Sequence, residues 1–262
     1  MSLPAAFTGP PITHRALHDK AQGRPENSPE AIEAAIKAGF GIEIDLQLSS
    51  DNEAMVFHDY DLARLAGLSG AIRQRSAAEL GAIPLLGGKA CIPTLAQVLA
   101  QIKTRVPLLI ELKDQHGQMG ETDGALEAAT AKALKGYDGP VALMSFNPHM
   151  IARMASLAPN IPRGLTTSAY TAQDWPLLNE KIRAQLREIP DYARTKSCFI
   201  SHEAADLKSP HVARLKASGA TVLCWTIRSP EAEAKAREIA DNVTFEGYLP
   251  SPRPRLPRPR PP

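Results

Sequence analysis

Short apolar runs alternate along the whole chain with helical stretches opened by Ser, Thr or Asn beside Pro, and this rhythm limits the fold more than any other feature. The candidate strands are PITHR (11–15), GIEIDLQL (41–48), AMVFHD (54–59), PLLIELK (107–113), PVALMSF (140–146), IPRGLTTS (161–168), KSCFISHE (196–203), ATVLCWTIR (220–228) and NVTFEGY (242–248). Ser28, before Pro29-Glu30, caps the helix PEAIEAAIKA, which Gly39 ends. Pro93-Thr94, Asn147-Pro148, Ser209-Pro210 and Ser229-Pro230 open later helices. In each case a small polar side chain is placed to accept from a free N–H of the first turn, and where Pro follows it, Pro gives up an N–H that had no partner. Alternating strands and helices imply a mainly parallel sheet covered by helices, either closed or open. An open nucleotide-binding sheet calls for a GxGxxG or GxxxxGK[ST] loop, and neither occurs. Nine candidates, two of them close together around 41–59, suit eight barrel strands plus one extra. The expected fold is therefore α/β, a TIM-type (β/α)8 barrel.

A chain of 262 residues suits one such barrel, spanning residues 1–250 as a single domain. Residues 60–92 break the rhythm and are expected to form a small irregular insertion with a helical turn at SAAELG. The Pro/Arg-rich tail, 251–262, is expected to be extended, disordered and solvated. The net charge of +2 includes four arginines in that tail, so the body carries no basic excess for nucleic acid, and no nucleic-acid partner is expected. Cys91, Cys198 and Cys224 are scattered and lack CxxC spacing, which suggests reduced packing residues. The N-terminus MSLPAAFTGPPITHRA has neither the basic start nor the apolar stretch of a secretory signal. No run approaches the roughly 18 apolar residues of a membrane span. The expected location is the cytoplasm, with no integral membrane association.

Polar residues gather at the C-terminal ends of the candidate strands: His14 and Arg15, Glu43 and Asp45, His58, then Glu111 and Lys113. In a βα barrel that end carries the active site. The i, i+2 spacing puts Glu43 and Asp45 on one strand face, and likewise Glu111 and Lys113. Each residue alone has an ordinary reading: a solvated edge, a Lys–Glu pair, a bonded core histidine. Coincidence at four strand ends argues against all of those together. Three carboxylates converging on one mouth repel one another unless a divalent cation or several protons lie between them. All-oxygen donors without cysteine select Mg²⁺ or Ca²⁺. Trp225, near a strand end, is a candidate surface for substrate carbons. Asp59 beside His58 could orient its imidazole, but consecutive strand residues face opposite ways, so a capping or surface role is the expectation. His202 is a candidate to reach the mouth, and Ser145 has no obvious base and is not expected to act as a nucleophile.

The ordered set His14-Arg15, Pro25-Glu26-Asn27, Ile42-Glu43-Ile44-Asp45-Leu46-Gln47-Leu48-Ser49, Val56-Phe57-His58-Asp59 and Glu111-Leu112-Lys113 resembles the glycerophosphodiester phosphodiesterases over roughly residues 11–250. The resemblance implies a TIM-type barrel and a divalent-metal phosphodiesterase releasing sn-glycerol 3-phosphate and an alcohol from a small glycerophosphodiester. Glu43, Asp45 and Glu111 then correspond to metal ligands. His14 and His58 correspond to the acid–base pair, and Arg15 and Lys113 to phosphate contacts. Glu26 and Asn27 are placed at the rim of the same mouth. There are departures. Ala16 stands where the family usually shows Gly, the loop HRALHDKAQGRP is longer and carries His18, and Glu246 stands where a small polar residue or Asp is more usual. Two other readings compete. One is a phospholipase D-like lipid phosphodiesterase on the same barrel, against which the missing signal and unpaired cysteines speak. The other is a non-catalytic barrel binding a phosphorylated ligand, against which the full residue set speaks.

Overall fold

A computed structural model describes residues 1–250; the tail expected to be disordered, 251–262, lies outside the described residues. Among the described residues nine strands form: β1 (Ile12–Thr13), β2 (Gly41–Leu48), β3 (Ala54–Val56), β4 (Leu108–Leu112), β5 (Val141–Ser145), β6 (Arg163–Thr167), β7 (Phe199–Glu203), β8 (Thr221–Ile227) and β9 (Asn242–Phe245). Each falls inside an apolar run singled out above. Eight of them pair in parallel in the order β1-β2-β4-β5-β6-β7-β8-β9, and β1 pairs with both β2 and β9, so the sheet closes into a barrel. The extra strand is β3, which pairs antiparallel with β2, Leu46 opposite Val56. Residues 49–53 alone separate the two strands, whereas a parallel return needs about a dozen or more residues.

All five expected caps form, with Ser28, Thr94, Asn147, Ser209 and Ser229 each accepting from a first-turn N–H. Two covering helices carried no Pro signal. Ala125–Leu134 starts at Gly124 without a side-chain cap, and Glu180–Arg187 starts at Asn179. No helix among the described residues is long and apolar enough to cross a membrane.

The two faces of β2 do different work. Ile42, Ile44, Leu46 and Leu48 pack outward against Ala31, Ile32, Ala35, Leu95 and Val98 of the covering helices. Each such aliphatic side chain contributes about 1.5–3 kcal/mol on full burial. The alternate residues, Glu43, Asp45 and Gln47, turn into the barrel and are buried. Lower in the barrel, Ile12, Leu109, Ala142, Met144, Phe199 and Leu223 pack with Leu3 and Phe7. The turn Ala5–Phe7 closes that floor, and Asn242 Nδ2 donates to the carbonyls of Phe7 and Pro10, both at 2.7 Å. Gly164 on β6 makes room for Phe199, since a Cβ there would lie 2.5 Å from its carbonyl oxygen and 2.6 Å from its ring. The insertion has its own small core, in which Leu62, Leu65, Ile72, Leu80 and Ile83 pack under Met55 and Phe57. Its expected helical turn is Ala77–Leu80, held by a Ser76–Glu79 capping box.

Candidate active site

Register brings the acids together. Asp45 of β2 and Glu111 of β4 are paired across the parallel ladder, and Glu43 lies two residues below Asp45 on the same face. Each offers an oxygen within 4.8 Å of the others, at exposures of 1, 1 and 6 % for Glu43, Asp45 and Glu111. Lys113, one step further up β4's face, places Nζ 2.7 Å from Glu111 and 3.0 Å from Asp45. Arg15 donates its backbone N–H to Glu43 at 2.8 Å, and its Nε lies 3.7 Å from Asp45. Burial disfavours the charge on Asp45, but Lys113, His58, Arg15 and His14 together hold its carboxyl far below the usual carboxylate range. Burial together with Asp45 and Glu111 pushes Glu43 well above its usual value, despite Arg15 and Lys113. The two basic residues thus leave the negative charge of the trio incompletely offset. A hard divalent cation fits that donor set and that imbalance.

The Pro25-Glu26-Asn27 turn supports these groups. Asn27 is 1 % exposed, so it lies beneath the mouth rather than at the rim where the resemblance placed it. Its left-handed backbone (φ 59) suits asparagine, and its Nδ2 donates to Asp45 Oδ2 at 2.9 Å while its Oδ1 accepts from the Asp45 N–H. Glu26 is tied down, accepting from Arg15 Nη1 and Arg64 Nη1, both at 2.7 Å. Ala16 adopts φ 63 at the position where the family usually has Gly, the residue that reaches this region without steric penalty.

Both histidines of the expected pair are anchored through Nδ1 by a carboxylate. His14 meets Glu246 Oε2 at 2.6 Å and His58 meets Asp59 Oδ1 at 2.7 Å, leaving Nε2 of each ring outside those bonds. Burial lowers His14 below its usual pKa against the pull of Glu246, with a further push from Arg15. Two expectations need correction. His58 does not end a barrel strand; it arrives on the antiparallel return of β3, where the Phe57 N–H donates to the Asp45 carbonyl at 3.0 Å and the next residue is carried back beside the acids. Asp59 is not a cap or a solvent group but the partner of His58. β3 ends at Val56, so strand alternation no longer separates the two side chains.

Arg64 escaped sequence reasoning. It lies on the insertion, donates to both Asp59 oxygens at 2.7 Å and also reaches Glu26, so it links the support of His58 to that of Arg15. Burial opposes the charge on Asp59, but His58 and Arg64 hold its carboxyl well below the usual range. An Arg after an apolar turn carries no distinctive sequence signal. His202 is 1 % exposed and satisfied by Thr167 Oγ1 (2.8 Å) and Asp206 (3.2 Å), which marks it as a core histidine. Ser145 donates to the Leu112 carbonyl at 2.7 Å, in line with the expectation that it is no nucleophile. Trp225 is half-buried on β8, its indole N–H on the Ser201 carbonyl (2.9 Å) and its ring edge-on to Phe146.

The sequence model described as the glycerophosphoryl diester phosphodiesterase family matches residues 14–243. A protein of Caldanaerobacter subterraneus subsp. tengcongensis named a glycerophosphodiester phosphodiesterase is 27% identical over 173 residues, covering 63% of this chain and 69% of its own. A phosphodiesterase of Oleispira antarctica, solved in complex with the product sn-glycerol-3-phosphate, is 25% identical, with a TM-score of 0.75 over 92% of this chain and 94% of that one. A glycerophosphodiester phosphodiesterase from Parabacteroides distasonis, at 22% identity, shares the fold with a TM-score of 0.71 over 90% and 94% of the two chains.

Proposed function

Because the chain belongs to the glycerophosphoryl diester phosphodiesterase family, we propose that it hydrolyses small glycerophosphodiesters to sn-glycerol 3-phosphate and an alcohol, with Glu43, Asp45 and Glu111 as ligands of Mg²⁺ or Ca²⁺ and His14 and His58 as the acid–base pair. The observation that carries this reading is one buried acid trio with two carboxylate-anchored imidazoles close enough to bias Asp45. The product bound in the Oleispira antarctica relative supports the same product here.

Glu43, Asp45 and Glu111 would hold a divalent cation, which would supply positive charge to offset the negative charge that develops on the phosphoryl group. Arg15 adds a planar fork for the non-bridging oxygens and Lys113 a point charge, both already held at the mouth by their acidic neighbours. One imidazole takes the proton of the glycerol 2-hydroxyl as its oxygen attacks phosphorus. The other gives a proton to the departing alkoxide. A cyclic phosphate results, and water opens it with the two roles exchanged. Glu246 and Asp59 each hold one Nδ1, so the proton moves at Nε2 of each ring. Asn27 fixes the Asp45 carboxylate, Glu26 holds Arg15, and Trp225 offers a flat apolar surface to the glycerol carbons.

Glycerophosphocholine, glycerophosphoethanolamine and glycerophosphoglycerol, each assayed for glycerol 3-phosphate release, test the reading. At least one is hydrolysed, EDTA reduces its turnover to background, and added Mg²⁺ or Ca²⁺ restores it. With none of the three hydrolysed, choline release from a choline lipid points to the lipid phosphodiesterase instead, and no turnover on that lipid either points to a binding barrel. Activity indifferent to EDTA removes the cation from the account.

A further inference from the structure

A second cluster of ligating side chains stands beside the acid trio and differs from it in chemistry. Glu246 follows β9, and Arg228, just past β8, grips its Oε1 through Nε at 2.8 Å and Nη2 at 2.7 Å. The other oxygen, Oε2, meets His14 Nδ1 at 2.6 Å and His18 Nε2 at 3.3 Å. His18 can return to this carboxylate because Arg15 and Ala16 both take left-handed backbone (φ 51 and 63) and fold the chain back on itself. The side chains of His14, His18 and Glu246 are 15, 23 and 19 % exposed, so an ion can enter from solvent.

We propose that His14, His18 and Glu246 form a second metal site, selective for a transition-metal ion of the zinc class, and that filling it switches hydrolysis off. Two imidazole nitrogens and one carboxylate oxygen, mutually within 4.8 Å, are a donor set that zinc takes with a fourth position left for water. Mg²⁺ and Ca²⁺ prefer the all-oxygen trio, so the two sites sort cations by softness. Tetrahedral zinc separates its ligand atoms by roughly 3.3 Å. The His18–Glu246 separation of 3.3 Å already matches, and the His14–Glu246 pair at 2.6 Å has to open by roughly 0.7 Å. Zinc on Nδ1 of His14 confines the ring's one proton to Nε2, and that nitrogen then has no lone pair to accept another. The loss of activity rests on His14 acting as acid and base; the binding itself does not.

The test is a calorimetric titration of the full chain with zinc chloride in excess Mg²⁺, alongside His18→Ala, with Co²⁺ absorption as a second probe. Wild type takes up one zinc ion and gives the intense visible band of low-coordinate cobalt. In His18→Ala zinc binds at least tenfold more weakly and the band is lost, while turnover without zinc stays at the wild-type level. Zinc lowers the wild-type rate and affects the variant at least tenfold less. No zinc uptake by wild type, or equal uptake by both proteins, overturns the site. Uptake that depends on His18 yet leaves the rate untouched supports the site and overturns the switch, which would place the fault in the role given to His14.

Discussion

His14→Ala and His58→Ala each lower kcat by about 10²–10⁴-fold, the range for loss of one general acid–base group, while leaving the fold intact. The effect is large because each ring has one nitrogen committed to a carboxylate and the other free for proton transfer: Glu246 at 2.6 Å for His14, Asp59 at 2.7 Å for His58. The fold is spared because the side chains are 15 and 26 % exposed and belong to none of the apolar clusters. The double variant falls by much less than the product of the two losses, because an acid and a base that act in one displacement are not independent. Steady-state rates with a thermal melt of each protein decide it. Wild-type-like turnover in both single variants contradicts the assignment.

Lys113→Met produces the largest change in stability, and that change depends on cations. Lys113 Nζ bonds Glu111 at 2.7 Å and Asp45 at 3.0 Å, and both acids are almost wholly buried. Burial disfavours its charge, yet those two acids raise its pKa above the usual lysine value, so the ammonium is present across the neutral range. Removing one member of a buried ion pair costs about 3–5 kcal/mol, because the remaining charge stays buried without a partner. In EDTA, Lys113→Met therefore melts well below wild type. Millimolar Ca²⁺ or Mg²⁺ narrows the gap, because acids left without the Lys113 ammonium bind the ion more tightly, and an ion that binds only the folded state stabilises it in proportion to the logarithm of that affinity. Equal melting temperatures in EDTA would show that the trio does not need Lys113, and a gap unchanged by either cation would show that it takes no ion.

The barrel was legible because its signals are local. Five small polar residues beside Pro announce five helices, and the apolar runs announce every strand. The helices after Gly124 and Asn179 lack that signal, since neither carries a Pro-flanked polar cap. The acids were legible because a carboxylate at every second position of an apolar strand has no ordinary place in a barrel core. What the sequence concealed is long-range support. Arg64 joins Asp59 to Glu26 across the insertion, and Glu246 comes 232 residues after His14. Nothing in a local pattern links those positions. Asp59 departs from the expectation for a local reason: side-chain alternation holds only as far as Val56, where β3 stops. The direction of β3 was within reach, because five residues are too few for a parallel return.

The most direct measurement is an anomalous difference map from a crystal of this protein soaked in Mn²⁺, a scatterer with the oxygen preference of Mg²⁺. A single strong peak within coordination distance of Glu43, Asp45 and Glu111, with Nε2 of His14 and of His58 facing the space beside it from two sides, is the predicted result. A peak elsewhere, no peak at all, or a peak with either imidazole turned away would contradict the account.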